Sequence, residues 1–260
     1  MRDKKRDTEI TDKIRYFEEE AQTYDKKRSQ KMKFLWEKEV EIVSNLCGNT
    51  EEKQVLEIGV GTGRFSVELA KKGANVTGLD PAKAMLMTTK EKTTQNGIID
   101  KVSLIRASGN NLPFKDSSFD VIVCMHVLKH LPTYKEVLLE MERVAKQEGF
   151  IIVNFPNTLS LYLPAAIYSN IRRLFRKNVY SGLFTKREVI KVLESTGFTV
   201  EKTRGFILLH PKFFPEPMQN LISRIENCAS RSFLQNLSGF FIIKAKKYKG
   251  KYGHLEKKLQ

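Results

Sequence analysis

Cysteine is scarce in this sequence, and its few positions argue against two kinds of site. Cys47, Cys124 and Cys228 are odd in number, lie far apart and show no metal-ligand spacing. We therefore expect neither a disulfide framework nor a zinc centre, and we predict no metal site. Reduced cysteines are typical of a cytoplasmic protein.

Long apolar runs are also missing from the sequence. No stretch approaches the roughly 18 consecutive apolar residues that a membrane span requires. The chain starts with charged residues from Arg2 to Asp7, and no apolar segment comes after them. We therefore expect a soluble, unsecreted protein.

Acidic residues are absent between Gly149 and Arg187, although this region contains basic side chains. The tail from Lys244 to Lys258 carries seven lysines against Glu256 alone, and the formal net charge of the chain is +15. Such asymmetry attracts phosphates, anionic lipid or nucleic acid, so the charge pattern is compatible with peripheral membrane contact and with nucleic-acid binding. The alternative is charge that only keeps the protein in solution.

Five short apolar runs rich in β-branched residues alternate with segments of helical period. This alternation predicts a doubly wound parallel sheet with helices on both faces. The predicted strands are 54–58, 75–79, 102–105, 119–124 and 150–154, and the predicted helices between them are 64–72, 82–95 and 134–145.

The pattern changes on either side of this core. Residues 7–47 are highly charged, with apolar side chains recurring at helical spacing, which predicts two amphipathic helices. Beyond residue 154 we predict an inserted amphipathic helix, a further helix and two strands. These elements are expected at 159–177, 186–196, 199–208 and 239–245.

The expected fold class is therefore α/β, a doubly wound, mostly parallel seven-stranded sheet with N-terminal helices and an inserted helical lid. The expected divisions are an N-terminal helical cap at 1–48, a core at 49–156, the insert at 157–182, and a C-terminal completion of the sheet with a basic tail at 183–260.

Three alternate glycines come after the first predicted strand, in the sequence Glu57-Ile58-Gly59-Val60-Gly61-Thr62-Gly63. A strand, such a loop and then a helix place bare backbone N–H groups and a helix N-terminus beside a ligand. The dinucleotide fingerprint G-x-G-x-x-G fails in both registers, because its third glycine would fall on Arg64 or Ser66. The Walker lysine is absent as well, so the motif that remains is E-x-G-x-G-x-G.

Asp80 comes directly after the second predicted strand, about 20 residues beyond the glycine loop, where a carboxylate can accept both hydroxyls of a ribose. The alternative role is a helix N-cap, because Pro81 suits the first position of a helix.

With these residues, the loop resembles motif I of the class I S-adenosylmethionine-dependent methyltransferases. The resemblance continues through 110–114, 118–123 and 127–131. It implies a Rossmann-like methyltransferase fold, S-adenosylmethionine as cofactor and S-adenosylhomocysteine as product. The residues that the resemblance assigns to the cofactor are Glu57, Gly59, Gly61, Gly63, Asp80, Pro81, Ser108, Gly109, Asn110, Asn111, Leu112 and Met125.

Two positions in this set have specific roles in the family pattern. Glu57 resembles the acidic residue that orients the methionine amino group. An acidic residue commonly accepts from the adenine amino group, but Ser108 stands at that position here. The resemblance therefore implies that the Ser108 hydroxyl, the Asn110 side chain or the backbone binds adenine.

Methyl transfer from a sulfonium is an in-line displacement that depends mainly on proximity and alignment. His126 and His130 lie just after the fourth predicted strand, whose C-terminal end faces the cofactor crevice in such sheets. Either histidine could take a proton from the methyl acceptor. Either could equally pack at a helix start or line the cofactor pocket.

The residues after the fourth and fifth strands bear on the choice of acceptor. Signatures of DNA amino-methylating and base C5-methylating enzymes are absent from the stretch Cys124-Met125-His126-Val127. The predicted insert combines an apolar helical face with basic residues, which suits an amphiphilic acceptor or an anionic membrane surface. The apolar residues are Leu163, Ile167, Ile171 and Phe175, and the basic ones are Arg172, Arg173, Arg176 and Lys177.

The chain also resembles the quinone-biosynthesis and small-molecule branch of the family. We therefore predict an S-adenosylmethionine-dependent methyltransferase that acts on a small or lipophilic acceptor. An RNA or protein methyltransferase and a non-catalytic cofactor-binding adapter are the alternatives.

Overall fold

The structure is a computed structural model that describes residues 2–160, 184–208 and 232–248, with isolated positions at 182, 221, 224, 225 and 228. The predicted lid helix at 159–177 lies almost entirely outside the described residues, and so does the end of the basic tail.

A single helix, α1 (Arg2–Cys47), forms the N-terminal region. The prediction of two helices was wrong, because no proline or glycine interrupts the chain between Arg2 and Cys47. The helix ends where Gly48 adopts the left-handed conformation, with φ 69°. One continuous element therefore packs on the sheet near its C-terminal end and reaches a ligand pocket nearer its N-terminal end.

The rest of the described chain alternates strand and helix as predicted. The elements are β1 (Gln54–Ile58), α2 (Arg64–Lys71), β2 (Asn75–Leu79), α3 (Lys83–Gln95), β3 (Val102–Ile105), β4 (Phe119–Cys124), α4 (Tyr134–Val144), β5 (Ala145–Pro156), α5 (Lys186–Ser195), β6 (Phe198–Phe206) and β7 (Phe240–Lys247).

The described strands form one seven-stranded sheet in the order β3-β2-β1-β4-β5-β7-β6. Strands β1 to β5 run parallel, and β7 pairs antiparallel with both β5 and β6. The predicted mostly parallel seven-stranded sheet is therefore confirmed. Strand β5 begins earlier than predicted, because Ala145 pairs with Phe119 before a register shift leads to the pairing of Phe150 with Val121.

Helices cover both faces of the sheet, so consecutive strand residues are buried in opposite layers. In β4, Ile122 and Cys124 pack in the layer that includes α4 and α5, whereas Val121 and Val123 pack in the layer that includes α1 and α2. This burial on both faces explains the nearly continuous apolar runs in the sequence. The strand order reverses between β1 and β4, and sheets of this kind bind ligands beyond the carboxyl ends of the strands at such a point.

Candidate active site

A pocket with about 950 Å³ of empty volume, its mouth included, opens beyond the carboxyl ends of β1, β2 and β4. Its lining is mainly apolar with a few polar groups, as is usual in small-molecule and cofactor sites. The structure places nine of the predicted site residues in the lining: Gly59, Gly61, Asp80, Pro81, Ser108, Gly109, Met125, His126 and His130.

The three glycines of the loop all have positive φ, but for different reasons. A Cβ on Gly59 would lie 2.2 Å from Val127 Cγ2, and a Cβ on Gly63 would lie 2.6 Å from Thr89 Cγ2. Packing within the protein therefore excludes a side chain at both positions. At Gly61, with φ +53°, the only heavy atom of the described residues within 4 Å of such a Cβ is the Gly59 carbonyl oxygen, at 3.9 Å. Gly61 thus leaves open space beside bare backbone, as a ligand that approaches the loop requires.

Asp80 closes this side of the pocket, and its carboxylate binds two backbone amides. Oδ2 accepts from the N–H of Gly61 at 3.0 Å, and Oδ1 accepts from the N–H of Ala82 at 2.9 Å. Burial raises the pKa of Asp80 to about 6, although both amide hydrogen bonds oppose the rise. A carboxylate has about four lone-pair sites, so each oxygen can still accept a ligand hydroxyl. We refer to the glycine loop and Asp80 together as the floor of the pocket.

Glu57 lies behind the glycine loop and does not line the pocket. Its Oε2 accepts a hydrogen bond from the Ser66 hydroxyl of α2. Burial raises the pKa of Glu57 to about 8, since the hydrogen bond from Ser66 and the charge of Arg64 only partly offset the desolvation. Glu57 therefore connects the loop to α2 in this structure.

The predicted residues Asn110, Asn111 and Leu112 lie beyond the lined part of the pocket. Asn110 Nδ2 donates to Thr133 Oγ1 at 3.0 Å, and its buried Oδ1 finds no donor within the described part of the chain. The N–H of Leu112 donates to Glu140 Oε2 at 2.7 Å, which attaches this loop to α4.

His126 occupies the wall formed by the segment after β4, in a strained conformation. Its φ is 62°, which is uncommon for a residue with a side chain, and its N–H donates to Asn154 Oδ1 at 2.6 Å. Strain of this kind persists where the surroundings hold it and is frequent at functional sites. Burial lowers the pKa of His126 to about 4, although the neighbouring Glu39 opposes the change. The imidazole is therefore neutral at physiological pH.

His130 lines the same pocket four residues further along the chain, at the end of a short 3₁₀ helix. Its ring lies edge-on to Phe17, with centroids 6.4 Å apart, and its carbonyl accepts from the buried ammonium of Lys13. Both partners come from α1, so this histidine lies where the N-terminal helix meets the sheet.

The sequence prediction missed the contribution of α1 to the pocket. Ile14, Phe17 and Tyr24 line it together with the glycine loop, and we call this stretch of α1, from Lys13 to Asp25, the roof. The helical spacing of these apolar residues was visible in the sequence, but it could not indicate what they cover.

Two acidic residues of the roof attach it to the floor and to α3. Glu18 accepts from the N–H groups of Lys83 and Ala84 with its two oxygens, each at 2.7 Å. Asp25 Oδ1 accepts from the Thr62 hydroxyl at 2.7 Å, and Oδ2 pairs with Lys92. The roof thus caps the first turn of α3, where amides lack partners within the helix.

Among the described residues, no group of three or more histidine, cysteine, aspartate or glutamate side chains is placed to hold a metal ion. None of the helices in the described part of the chain combines the length and the apolar composition that crossing a membrane requires.

Three comparisons with known proteins agree with this site. A family model described as a methyltransferase domain matches residues 56–153, the stretch from β1 to β5 that contains the floor. The ubiquinone biosynthesis O-methyltransferase of Rickettsia bellii is 26% identical over 172 residues, which cover 65% of this chain and 70% of the relative. The demethylmenaquinone methyltransferase of Lactiplantibacillus plantarum is 35% identical over 114 residues, 43% of this chain and 47% of the relative.

A solved S-adenosylmethionine-dependent methyltransferase of Thermotoga maritima has the same fold, with a TM-score of 0.66 and 22% identity over 89% of this chain and 98% of that one. The segment that matches the family model, residues 56–153, contains the glycine loop, Asp80 and His126. Gly61 leaves room for a cofactor against the backbone, and Asp80 retains lone pairs that ribose hydroxyls require. The match to the family model shows that residues 56–153 form a methyltransferase domain, and the chain is similar in sequence and fold to S-adenosylmethionine-dependent methyltransferases, whose cofactor fits this floor.

Proposed function

We propose that this enzyme methylates a small lipophilic acceptor of the quinone-precursor type. The observation that carries the proposal is the roof, where Ile14, Phe17 and Tyr24 give the pocket an apolar wall. Such a wall favours an apolar ring or chain over a charged nucleic-acid backbone. The names of two relatives, the ubiquinone biosynthesis O-methyltransferase of Rickettsia bellii and the demethylmenaquinone methyltransferase of Lactiplantibacillus plantarum, support the same class of acceptor.

We propose that the floor binds the cofactor directly. The backbone of Gly59 and Gly61 would lie against it, Asp80 would accept its ribose hydroxyls, and Pro81, Met125, Ser108 and Gly109 would contact the remainder. Glu57, Gly63, Asn110 and Leu112 would hold these contacts in place, since they contact α2, α3, the N-cap of α4 and α4 itself. Asn111 stays a predicted cofactor residue. When bound, the cofactor supplies an electrophilic methyl group, so the protein needs only to align the acceptor and remove its proton.

A histidine of the pocket is our proposed proton acceptor. His126 and His130 both line the wall next to the floor. A neutral imidazole can take the proton of a hydroxyl group as its oxygen attacks. The low pKa of His126 keeps that ring neutral across the physiological range.

We also propose that the surface around α5 contacts an anionic membrane, from which a lipophilic acceptor would enter. A groove there joins apolar and basic side chains, and the adjacent Phe233 is 81% exposed. Basic side chains near an apolar surface favour binding to anionic lipid. The residues of the groove include Leu159, Ile190 and Phe241, with Lys186, Arg187 and Lys191.

The test is transfer of labelled methyl from S-adenosylmethionine into separated cell fractions. Purified enzyme is incubated with an organic extract of membranes, with total RNA and with protein, and the label in each is counted. We expect label in the organic extract. Label confined to RNA or protein would contradict the proposed acceptor, and binding of S-adenosylhomocysteine without transfer to any fraction would indicate a non-catalytic adapter.

A further inference from the structure

The glycine loop is built from residues that do little to fix their own conformation. Gly59, Gly61 and Gly63 all have positive φ, and glycine loses more conformational freedom on ordering than any other residue. Between them, Val60 is apolar and Thr62 supplies the polar side chain of the loop. Contacts from other elements must therefore hold the loop in the conformation that leaves open space beside Gly61.

Asp80 and helix α3 hold the backbone of the loop. The N–H of Gly61 donates to Asp80 Oδ2 at 3.0 Å, and the Gly61 carbonyl accepts from Thr89 Oγ1 at 2.7 Å. One turn further along α3, Lys92 Nζ donates to the Thr62 carbonyl at 2.8 Å. These contacts fix the peptide groups of Gly61 and Thr62, but not the Thr62 side chain.

The roof holds the side chain of Thr62. Thr62 is 3% exposed, and its hydroxyl donates to Asp25 Oδ1 at 2.7 Å. Hydrogen bonds to a charged acceptor are stronger than those between neutral groups. The other oxygen of Asp25, Oδ2, pairs with Lys92, the same cation that binds the Thr62 carbonyl. One carboxylate of α1 therefore fixes both the side chain of the loop and the cation that holds its backbone.

We propose that Asp25 is a positioning residue for the cofactor, holding Thr62 so that the Gly61 backbone is in its binding conformation before the cofactor arrives. This inference rests on the proposed function, since it requires that the floor bind the cofactor. A loop that is ordered in advance loses no conformational freedom on binding. A loop that is ordered only part of the time binds with an affinity reduced by that fraction.

The position of Asp25 in the chain extends the cofactor site beyond the methyltransferase domain. Asp25 lies in α1, outside the segment 56–153 that matches the family model, and directly after Tyr24, which lines the pocket. The roof therefore has two separate roles: its apolar side chains line the pocket, and its carboxylate orders the loop. Cofactor affinity should then depend on a side chain that does not itself line the pocket.

Four substitutions separate this role from a general contribution to the fold. Asp25→Ala removes the acceptor of the Thr62 hydroxyl, and Thr62→Val removes the hydroxyl itself while keeping the shape of the side chain. Thr62→Ser keeps the hydroxyl and should restore what Thr62→Val loses. Asp12→Ala is the control, because Asp12 is an aspartate of the same helix whose partner Arg15, at 3.8 Å, also lies in α1.

The experiment measures the affinity of each variant for S-adenosylhomocysteine by titration calorimetry, and its thermal midpoint without ligand. We expect the affinity to fall about tenfold in Asp25→Ala and about fivefold in Thr62→Val. The double variant should lose only about tenfold, because both changes remove the same hydrogen bond. Thr62→Ser and Asp12→Ala should stay within about twofold of the unmodified protein. The thermal midpoint should change little in Asp25→Ala, since the side chains of the Asp25 and Lys92 pair are 30% and 31% exposed.

Three results would overturn the inference. One is an affinity of Asp25→Ala within twofold of that of the unmodified protein. Another is a double variant whose loss is the product of the two single losses, because Asp25 would then not act through Thr62. The third is a lower thermal midpoint in Asp25→Ala together with an unchanged affinity in Thr62→Val, as expected if Asp25 only stabilised the fold. In each case the proposed function still stands, whereas an unmodified protein that does not bind S-adenosylhomocysteine would show that the proposed floor itself is wrong.

Discussion

The floor of the pocket consists mainly of backbone groups, whereas the roof consists of side chains. The floor consists of bare backbone at Gly59 and Gly61 with one carboxylate, Asp80, and its atoms are held by packing and by amide hydrogen bonds. The roof consists of side chains from a helix far upstream, such as Phe17, and acidic side chains attach it to α3 and to the glycine loop.

This difference implies two kinds of tolerance to substitution. A glycine that has positive φ and lies against another residue has no replacement, because any side chain meets both strain and a clash. A roof residue contributes one contact among several, so its removal costs a limited amount. Substitutions in the floor and in the roof test this contrast, and the largest effect is expected in the floor.

Gly59→Ala should cause the largest loss of stability. The new Cβ would lie 2.2 Å from Val127 Cγ2 at φ +71°, so Val127 or the loop must move. We expect the free energy of unfolding to fall by about 3 kcal/mol, measured by urea unfolding. Gly97→Ala is the matched control, because Gly97 has φ +65° with no atom of the described residues within 4 Å of a Cβ, and it should cost only about 1 kcal/mol. Equal losses in the two variants would mean that the loop accommodates the clash.

Gly61→Ala should affect binding more than stability. Its Cβ would enter open space within the pocket, so we expect an unfolding cost close to that of Gly97→Ala. The same methyl group would occupy the place of the cofactor, and we expect the affinity for S-adenosylhomocysteine to fall about 30-fold, or about 2 kcal/mol. Calorimetry measures the change. An affinity equal to that of the unmodified protein would remove Gly61 from the cofactor contacts.

The floor could be predicted from the sequence because its parts lie close together along the chain. The spacing of the glycines and the position of Asp80 after β2 are local patterns, and the apolar runs indicated the sheet. The pairing of Glu39 with His126 spans 87 positions, and nothing in the sequence of α1 distinguishes Glu39 from Glu37 or Glu41. Side chains brought together by tertiary packing leave no such periodic signal. Whether α1 was one helix or two depended on the absence of a helix breaker, which the charge pattern obscured.

Acid should weaken cofactor binding through Asp80. Its pKa is about 6. Burial is the largest cause of this rise, and the nearby carboxylate of Glu18 adds to it. Ribose hydroxyls need the ionised form as acceptor, so affinity should be full above pH 7 and fall as the pH drops through 6. Between pH 7 and pH 5 we expect a loss of about tenfold in the affinity for S-adenosylhomocysteine. Asp80→Asn should bind more weakly at pH 7 and lack this dependence, and a parallel pH profile in both proteins would assign the titration to another group.

The smallest effect should come from the roof, at Glu18. Its two oxygens accept from the N–H groups of Lys83 and Ala84 at 2.7 Å, so it caps α3 from a distant part of the chain. Glu18→Ala leaves both amides without this acceptor and should lower the free energy of unfolding by about 1 kcal/mol in urea. Glu18→Gln keeps one acceptor and should lose about half as much, whereas the exposed neighbour Glu19→Ala should change little. If Glu18→Ala and Glu19→Ala have the same free energy of unfolding, the roof is held by its apolar contacts and not by the Glu18 hydrogen bonds. The roof would then depend on apolar packing, whereas the floor depends on backbone geometry.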